Sequence, residues 1–355
     1  MTYEPSGPAP LDWRAVDPRE ILDLVQDELP LSDSEARYAA ASRAPSTLRG
    51  YRTDWREWCA WCDTHDARPL PAPPAQLARF ISALADAGAK PGTISRKLSA
   101  IRYAHKLAGL DDPTASARVS TVWEGIRRAI ARAGGDQGRV DQAPPLMPPV
   151  LWDVVEACPT LTTWTTRDNQ PSLAGARDRC LLLVGFFGAL RRSELARVDL
   201  GDLTPDPRGL VLQLSHSKTN QYGQKADLVA LPRLTNPDRC PVRAIETWCD
   251  LAGITEGRLL RRVTKGNRPG PSLSEQAVNE LVIQAVHRAK VPAPPNGVGY
   301  SAHSLRAGFV TYAHSRGFSP SQIARQTRHT SLASVGTYTR LSTIWDDNPA
   351  PALGL

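Results

Sequence analysis

Between Gly134 and Pro149 the chain reads Gly-Gly-Asp-Gln-Gly-Arg-Val-Asp-Gln-Ala, then two Pro-Pro pairs around Leu146-Met147, and no apolar residue recurs there at a helical or strand period. Proline removes a backbone donor and fixes φ, while paired glycines are costly to order, so no regular element crosses this stretch. It cuts the 355 residues into two bodies, each long enough to bury a core of its own. We therefore expect two domains, over residues 19–134 and 150–340, joined by a linker at 135–149. Residues 1–18, rich in proline and polar groups, read as a flexible amino-terminal arm. Residues 341–355 form a carboxy-terminal tail.

The first body shows helical periodicity throughout. After Asp17-Pro18, Ile21, Leu22, Val25 and Leu29 share one face. A second helix starts at Ser46-Thr47, with Tyr51, Trp55, Trp58 and Cys62 as its apolar stripe and Arg49, Arg52 and Arg56 on another face. Pro73-Pro74 precedes Leu77, Phe80, Ile81 and Leu84. Further on, Ile94, Leu98 and Ile101 point inward while Arg96, Lys97, Arg102 and Lys106 supply cations, and Val119 to Ala133 carries Arg127, Arg128 and Arg132. An all-helical domain with basic faces follows, and we take Arg49, Arg52, Arg56, Arg96, Lys97, Arg102 and Lys106 as its candidate DNA-binding residues. The ordinary alternative is that such cations only solvate helix surfaces.

A net charge of +7 fits a polyanionic partner. Six cysteines at irregular spacings, with no charged-then-apolar leader, suit a reducing interior rather than a disulfide framework, so a cytoplasmic protein is expected. The longest apolar run, Cys180 to Leu190, is too short to span a bilayer. Cys59-Ala60-Trp61-Cys62 resembles half a zinc motif, but no second ligand pair lies at a suitable spacing and both cysteines border the aromatic stripe, so packing and no metal are expected.

In the second body, Val150 to Ala157 and Ala174 to Leu190 read as helices, the latter delivering Arg191. Leu210 to Leu214 and Asp227 to Leu231 read as strands of a hairpin whose polar connection holds Lys218 and Lys225. Helices return at Ser274 to Ala289, His303 to Arg316 and Ser319 to Thr327. Arg191, Lys218, His303, Arg306 and His329 can surround a phosphate with charge and donors, and Tyr338 can attack it. Taken singly, each is commonplace: surface arginines, hairpin lysines and polar-segment tyrosines are usually solvated. No carboxylate or cysteine accompanies the histidines, which argues against a metal site.

Their order and spacing resemble the tyrosine site-specific recombinases, the phage integrase family, over roughly residues 45 to 345. Gly188-Ala189-Leu190-Arg191-Arg192-Ser193-Glu194-Leu195 is similar to the family's Thr-Gly-Leu-Arg-x-Ser-Glu-Leu. His303-Ser-Leu-Arg306 matches its His-x-x-Arg, and His329 stands nine residues before Tyr338. Arg328-His329 departs from the usual Gly-His. The resemblance implies a mainly α, two-domain clamp: a helical core-binding domain, then a mixed α/β catalytic domain, mostly helical with a small antiparallel sheet.

It also implies roles. Arg191 and Arg306 would clamp the scissile phosphate, with Glu194 supporting them. Lys218, or its rival Lys225, would protonate the leaving 5′ oxygen. His303 would take the tyrosine proton or donate to a phosphate oxygen, as His329 would, and Tyr338 would form a 3′-phosphotyrosyl link. No cofactor, metal or ATP is then needed. The implied partner is a double-stranded DNA recombination site, bound by a homotetramer on two sites from a chain that is monomeric or weakly self-associating when free. Accessory DNA-bending proteins stay open, no membrane is involved, and the apolar tail can dock in cis or on a neighbour. The competing readings are a type IB topoisomerase-like enzyme and a non-catalytic DNA-binding architectural or regulatory protein.

Overall fold

A computed structural model describes Ser34, Tyr38 and residues 42–138, 142–162, 169–214, 227–294 and 297–328. The chain forms two compact units, residues 1–140 and 141–355.

The first unit is helical: α1 (Pro45–Thr64), α2 (Pro74–Asp86), α3 (Pro91–Leu107), α4 (Ala117–Ala133) and the short α5 (Gly135–Gly138). The first three begin at proline and have no side-chain cap. Proline suits that position because its missing N–H would have had no intrahelical acceptor and its φ is already helical. Helix α4 is capped by a side chain instead, with Ser116 accepting the Val119 N–H at 3.3 Å. The α1 stripe packs inward as its spacing predicts. Trp55, Trp58 and Cys62 are buried with Phe80, Ile81, Ile94 and Ile101, and the Trp58 and Phe80 rings lie 5.0 Å apart. Burial in this core pushes the Cys62 thiol up to about 12.

The second unit opens with α6 (Val150–Glu156), α7 (Leu173–Phe187) and α8 (Arg192–Arg197). A three-stranded antiparallel sheet follows, β1 (Leu203–Asp206), β2 (Gly209–Leu214) and β3 (Asp227–Pro232), in the order β1-β2-β3. The expected strand pair is β2 and β3, in register at Leu212 and Val229, and the buried face is Leu212, Leu214, Val229 and Leu231. After α9 (Pro241–Ala252) comes a second two-stranded sheet, β4 (Arg261–Val263) and β5 (Pro269–Ser272), and then α10 (Glu275–Arg288), α11 (Ala302–Ser315) and α12 (Pro320–Thr327). Helix α7 is apolar on nearly every side, and α9, α10 and α11 all pack against it.

The expected linker at 135–149 needs narrowing, because both its ends are bound to a unit. Gln137 donates its side-chain amide to the carbonyls of Ala85 and Ala89, at 2.9 and 3.1 Å. Leu146 is fully buried in the second core and donates its N–H to the Ser304 carbonyl at 2.9 Å. Gly308 makes that approach feasible, since a Cβ there would lie 2.0 Å from the Leu146 oxygen. One buried leucine among prolines has no period to betray it.

Candidate active site

Helix α7 ends at Phe187, and the turn Gly188-Ala189-Leu190 leads into Arg191, the residue before α8. Ala189 sits at φ +44°, in the left-handed region that costs an L-residue roughly 1–2 kcal/mol. Glu194, on the first turn of α8, folds back to accept the Arg191 N–H at 2.8 Å and its Nη1 at 2.6 Å. This is half of a capping box, in which a glutamate satisfies an orphan donor at the helix start. It also fixes the guanidinium, whose side chain is 18% exposed.

The turn's backbone N–H groups satisfy the carbonyls of Val184, Gly185 and Phe186, and the carbonyls of Phe187, Gly188 and Ala189, left without intrahelical donors, each receive a side chain from much later in the chain. Gln326 donates to Phe187 at 2.8 Å and also to Ala230 of β3 at 2.9 Å. Arg328 donates to Gly188 at 3.4 Å. Arg306, buried in α11, donates to Ala189 at 2.7 Å. Arg191 and Arg306 are thereby fixed on one turn, and His303 lies exposed on the first turn of α11.

Glu194 is buried and accepts a further bond, from Arg328 Nη2 at 2.7 Å. Burial opposes its charge, but Arg328, then the Arg191 N–H and guanidinium, outweigh that and hold the carboxyl below the usual carboxylate range. Neither Arg328 nor Gln326 stood among the sequence-predicted site residues. Arg328 had registered only as a departure at a position that ordinarily holds glycine. Its backbone shows why glycine fits, since it closes α12 at φ +56° in the left-handed conformation. Lys218, its rival Lys225, His329 and Tyr338 lie outside the described residues, so the structure assembles Arg191, Glu194, Arg306 and Arg328, with His303 alongside.

Residues 164–343, which include all six sequence-predicted catalytic positions, match the phage integrase family, and residues 38–109 match the phage integrase N-terminal SAM-like domain. The chain belongs to the phage integrase family. It is therefore a tyrosine recombinase, of the enzymes that break and rejoin DNA. It is 32% identical over 320 residues to an integrase/recombinase XerD homolog of Selenomonas ruminantium, across 90% of this chain and 88% of that protein. Recombinase Cre of Escherichia phage P1 is 25% identical over 306 residues, across 80% and 81%. Among solved structures, XerH recombinase on palindromic difH substrate in a post-cleavage complex superposes with a TM-score of 0.59, at 14% identity, over 93% of this chain and 95% of that one. A lambda integrase tetramer bound to a Holliday junction gives 0.53 at 14%, over 85% and 74%. These likenesses show the fold, mainly α with a small antiparallel sheet.

In this recombinase the basic faces of the first unit separate into unlike groups. Arg49, Arg56 and Lys106 are exposed, and Arg52 is half-buried. Arg102 is exposed but tied to Asp112 at 2.8 Å and to Thr114 at 2.7 Å. Lys97 departs from the outward placement read from the sequence: its side chain is 5% exposed and bonds Asp54 at 3.1 Å and Glu57 at 2.5 Å, so it ties α3 to α1. Arg96 pairs with the same Asp54 through two bonds, at 2.7 and 3.0 Å, while keeping an exposed flank. The signal for this lay in Asp54 and Glu57, two acids three apart among the arginines of α1.

Proposed function

We propose that this chain is a site-specific DNA recombinase in which Arg191 and Arg306 hold the non-bridging oxygens of the scissile phosphate while Tyr338 attacks the phosphorus. The observation that carries this reading is the shared turn: Ala189 within Gly188–Leu190 anchors the Arg306 guanidinium, and Glu194 fixes that of Arg191, the residue directly after the turn. Two oriented cations in a partly dry site stabilise developing phosphorane charge far better than solvated ones do. The tyrosine oxygen bonds to phosphorus as the bond to the 5′ oxygen breaks, giving a 3′-phosphotyrosyl link and a 5′ hydroxyl. Lys218 supplies the leaving oxygen's proton, with Lys225 as its rival. His303 takes the tyrosine proton or donates to a phosphate oxygen, and His329 donates to the phosphate. The link conserves the energy of the broken ester, so rejoining draws on no nucleotide. Residues 19–134 serve as the core-binding domain and 150–340 as the catalytic domain.

A homotetramer exchanging strands between two sites through a Holliday junction is the assembly this reading implies, supported by the lambda integrase complex. In the second unit an apolar groove is lined by Trp152, Phe187, Phe309, Tyr312, Phe318 and Ile323. Leu341, Ile344, Trp345, Leu353 and Leu355 of the tail have the chemistry to fill the same groove on a neighbouring subunit. Among the described residues no helix is long and apolar enough to cross a membrane, which accords with a cytoplasmic enzyme.

Tyr338→Phe tests the reading, because it removes one hydroxyl and nothing else. On supercoiled plasmid carrying the DNA that flanks the gene, wild type should form a protein–DNA adduct resistant to denaturant, and the Phe variant should bind the plasmid but form none. An adduct in the Phe variant would give the nucleophile to another residue. Transfer of strands between two duplexes, as against relaxation of one, separates recombinase from topoisomerase.

A further inference from the structure

Arg328 combines three features that are poor for stability. Its backbone is left-handed at φ +56°, where an arginine is disfavoured and glycine is at ease. Its side chain is 5% exposed, so a cation has been taken out of water. Its Nε–H has no acceptor among the described residues. A residue kept only to close α12 would be glycine, so the side chain answers another need.

That need is legible in the charge around Glu194. Arg328 Nη2 and the Arg191 N–H share oxygen Oε2, at 2.7 and 2.8 Å, and Arg191 Nη1 takes Oε1 at 2.6 Å. The two guanidinium groups and the one carboxylate bonded to both sum to +1, and Asp227 adds only a weaker attraction on Arg328. Without Arg328, Glu194 would cancel Arg191, and the pair would meet a phosphate nearly neutral. The Arg328 guanidinium itself is turned inward onto Glu194, Gly188 and Gln326.

We propose that Arg328 is a positioning residue that offsets the charge of Glu194, so that Arg191 stays held by the carboxylate yet keeps its full pull on a phosphate oxygen. This rests on the reading that Arg191 binds the scissile phosphate. It assigns a role to a position the sequence pattern leaves to glycine.

Titration of full-length protein with inorganic phosphate, followed by calorimetry, tests it. Arg328→Gly should weaken phosphate binding about tenfold, the scale of one unit charge removed several ångströms away in a partly desolvated site. Arg328→Lys should stay within about threefold, because the charge is kept. Arg328→Gly combined with Glu194→Gln should recover most of the loss, since the cluster returns to +1, and a purely structural role for Arg328 gives no such rescue. Arg192→Ala, at an exposed neighbour, serves as the control and should change nothing. Absence of phosphate binding in the wild type, wild-type affinity in Arg328→Gly, or a Lys variant as weak as the Gly variant would each overturn the inference. The Tyr338→Phe adduct assay keeps the two ideas apart. An adduct persisting in that variant defeats the assignment of the nucleophile, whereas no adduct there together with wild-type phosphate affinity in Arg328→Gly defeats the role of Arg328 alone.

Discussion

Each unit of this protein buries a carboxylate between two cations, and the two clusters differ in one respect. In the first unit Asp54 meets Arg96 and Lys97, and Glu57 also bonds Lys97. Two acids face two bases, the charges cancel, and the cluster joins α1 to α3. In the second unit Glu194 meets Arg191 and Arg328 through direct bonds, Asp227 adds a weaker attraction on Arg328, and Arg306 is anchored one turn away. A balanced buried cluster is a structural tie. One left with excess positive charge is poised for an anion, since desolvated charge is tolerated where a ligand will complete it.

The comparison breaks most readily at the arginines. Arg191→Ala and Arg306→Ala should each slow adduct formation by a hundredfold or more, corresponding to about 3 kcal/mol by analogy with lost oxyanion donors. Plasmid binding should persist and the melting temperature should move little for Arg191→Ala, since Glu194 keeps Arg328. Single-turnover cleavage rates within a few-fold of wild type would remove either arginine from the site.

The first cluster should respond in the opposite sense. Asp54→Ala leaves Lys97 buried with only the half-exposed Glu57, and breaking such a pair costs about 3 kcal/mol, near the low end for buried pairs. Urea denaturation should show that loss, while the adduct rate per folded molecule stays near wild type. A tenfold fall in that rate without destabilisation would make the first cluster functional and void the distinction.

The tail should act on assembly and leave both clusters untouched. Truncation after Arg340 should leave folding and plasmid binding largely intact while abolishing strand exchange between two duplexes. A much lower melting temperature would place the tail in its own subunit, and normal exchange would deny it either role.

How much of this was legible beforehand follows from what leaves a mark in sequence. Helices α1 to α4 announced themselves through apolar spacing, and β2 and β3 as short apolar runs on either side of a polar connection. Strand β5 is Pro-Gly-Pro-Ser and β1 is Leu-Thr-Pro-Asp, which no strand pattern would pick out, and their pairing depends on partners. Arg191 and Arg306 were legible because two motifs kept their order. Lys97 was misplaced because an inward lysine looks like an outward one until Asp54, 43 residues away, is brought beside it. Arg328 was visible as an anomaly, but its meaning lies in Glu194, 134 residues earlier.

The least of the expected effects is also the most specific to the second cluster. The folded Glu194 carboxyl lies below its ordinary value: burial opposes its charge, but the attraction of Arg328 comes next and, with the Arg191 bonds, prevails. A depressed carboxyl contributes stability that is fully present above its unfolded value, about 4.3 for glutamate, and that is lost as the pH falls through the folded value. Urea midpoints measured from pH 6 to pH 3 should therefore show Glu194→Gln less stable than wild type at pH 6, with the gap closing below about pH 4. In Arg328→Gly the carboxyl loses its strongest attraction, so its contribution should begin to fade at a higher pH than in wild type. A gap between wild type and Glu194→Gln that stays constant down to pH 3 would mean that shape rather than charge holds Glu194, and the contrast between the two clusters would then rest on packing alone.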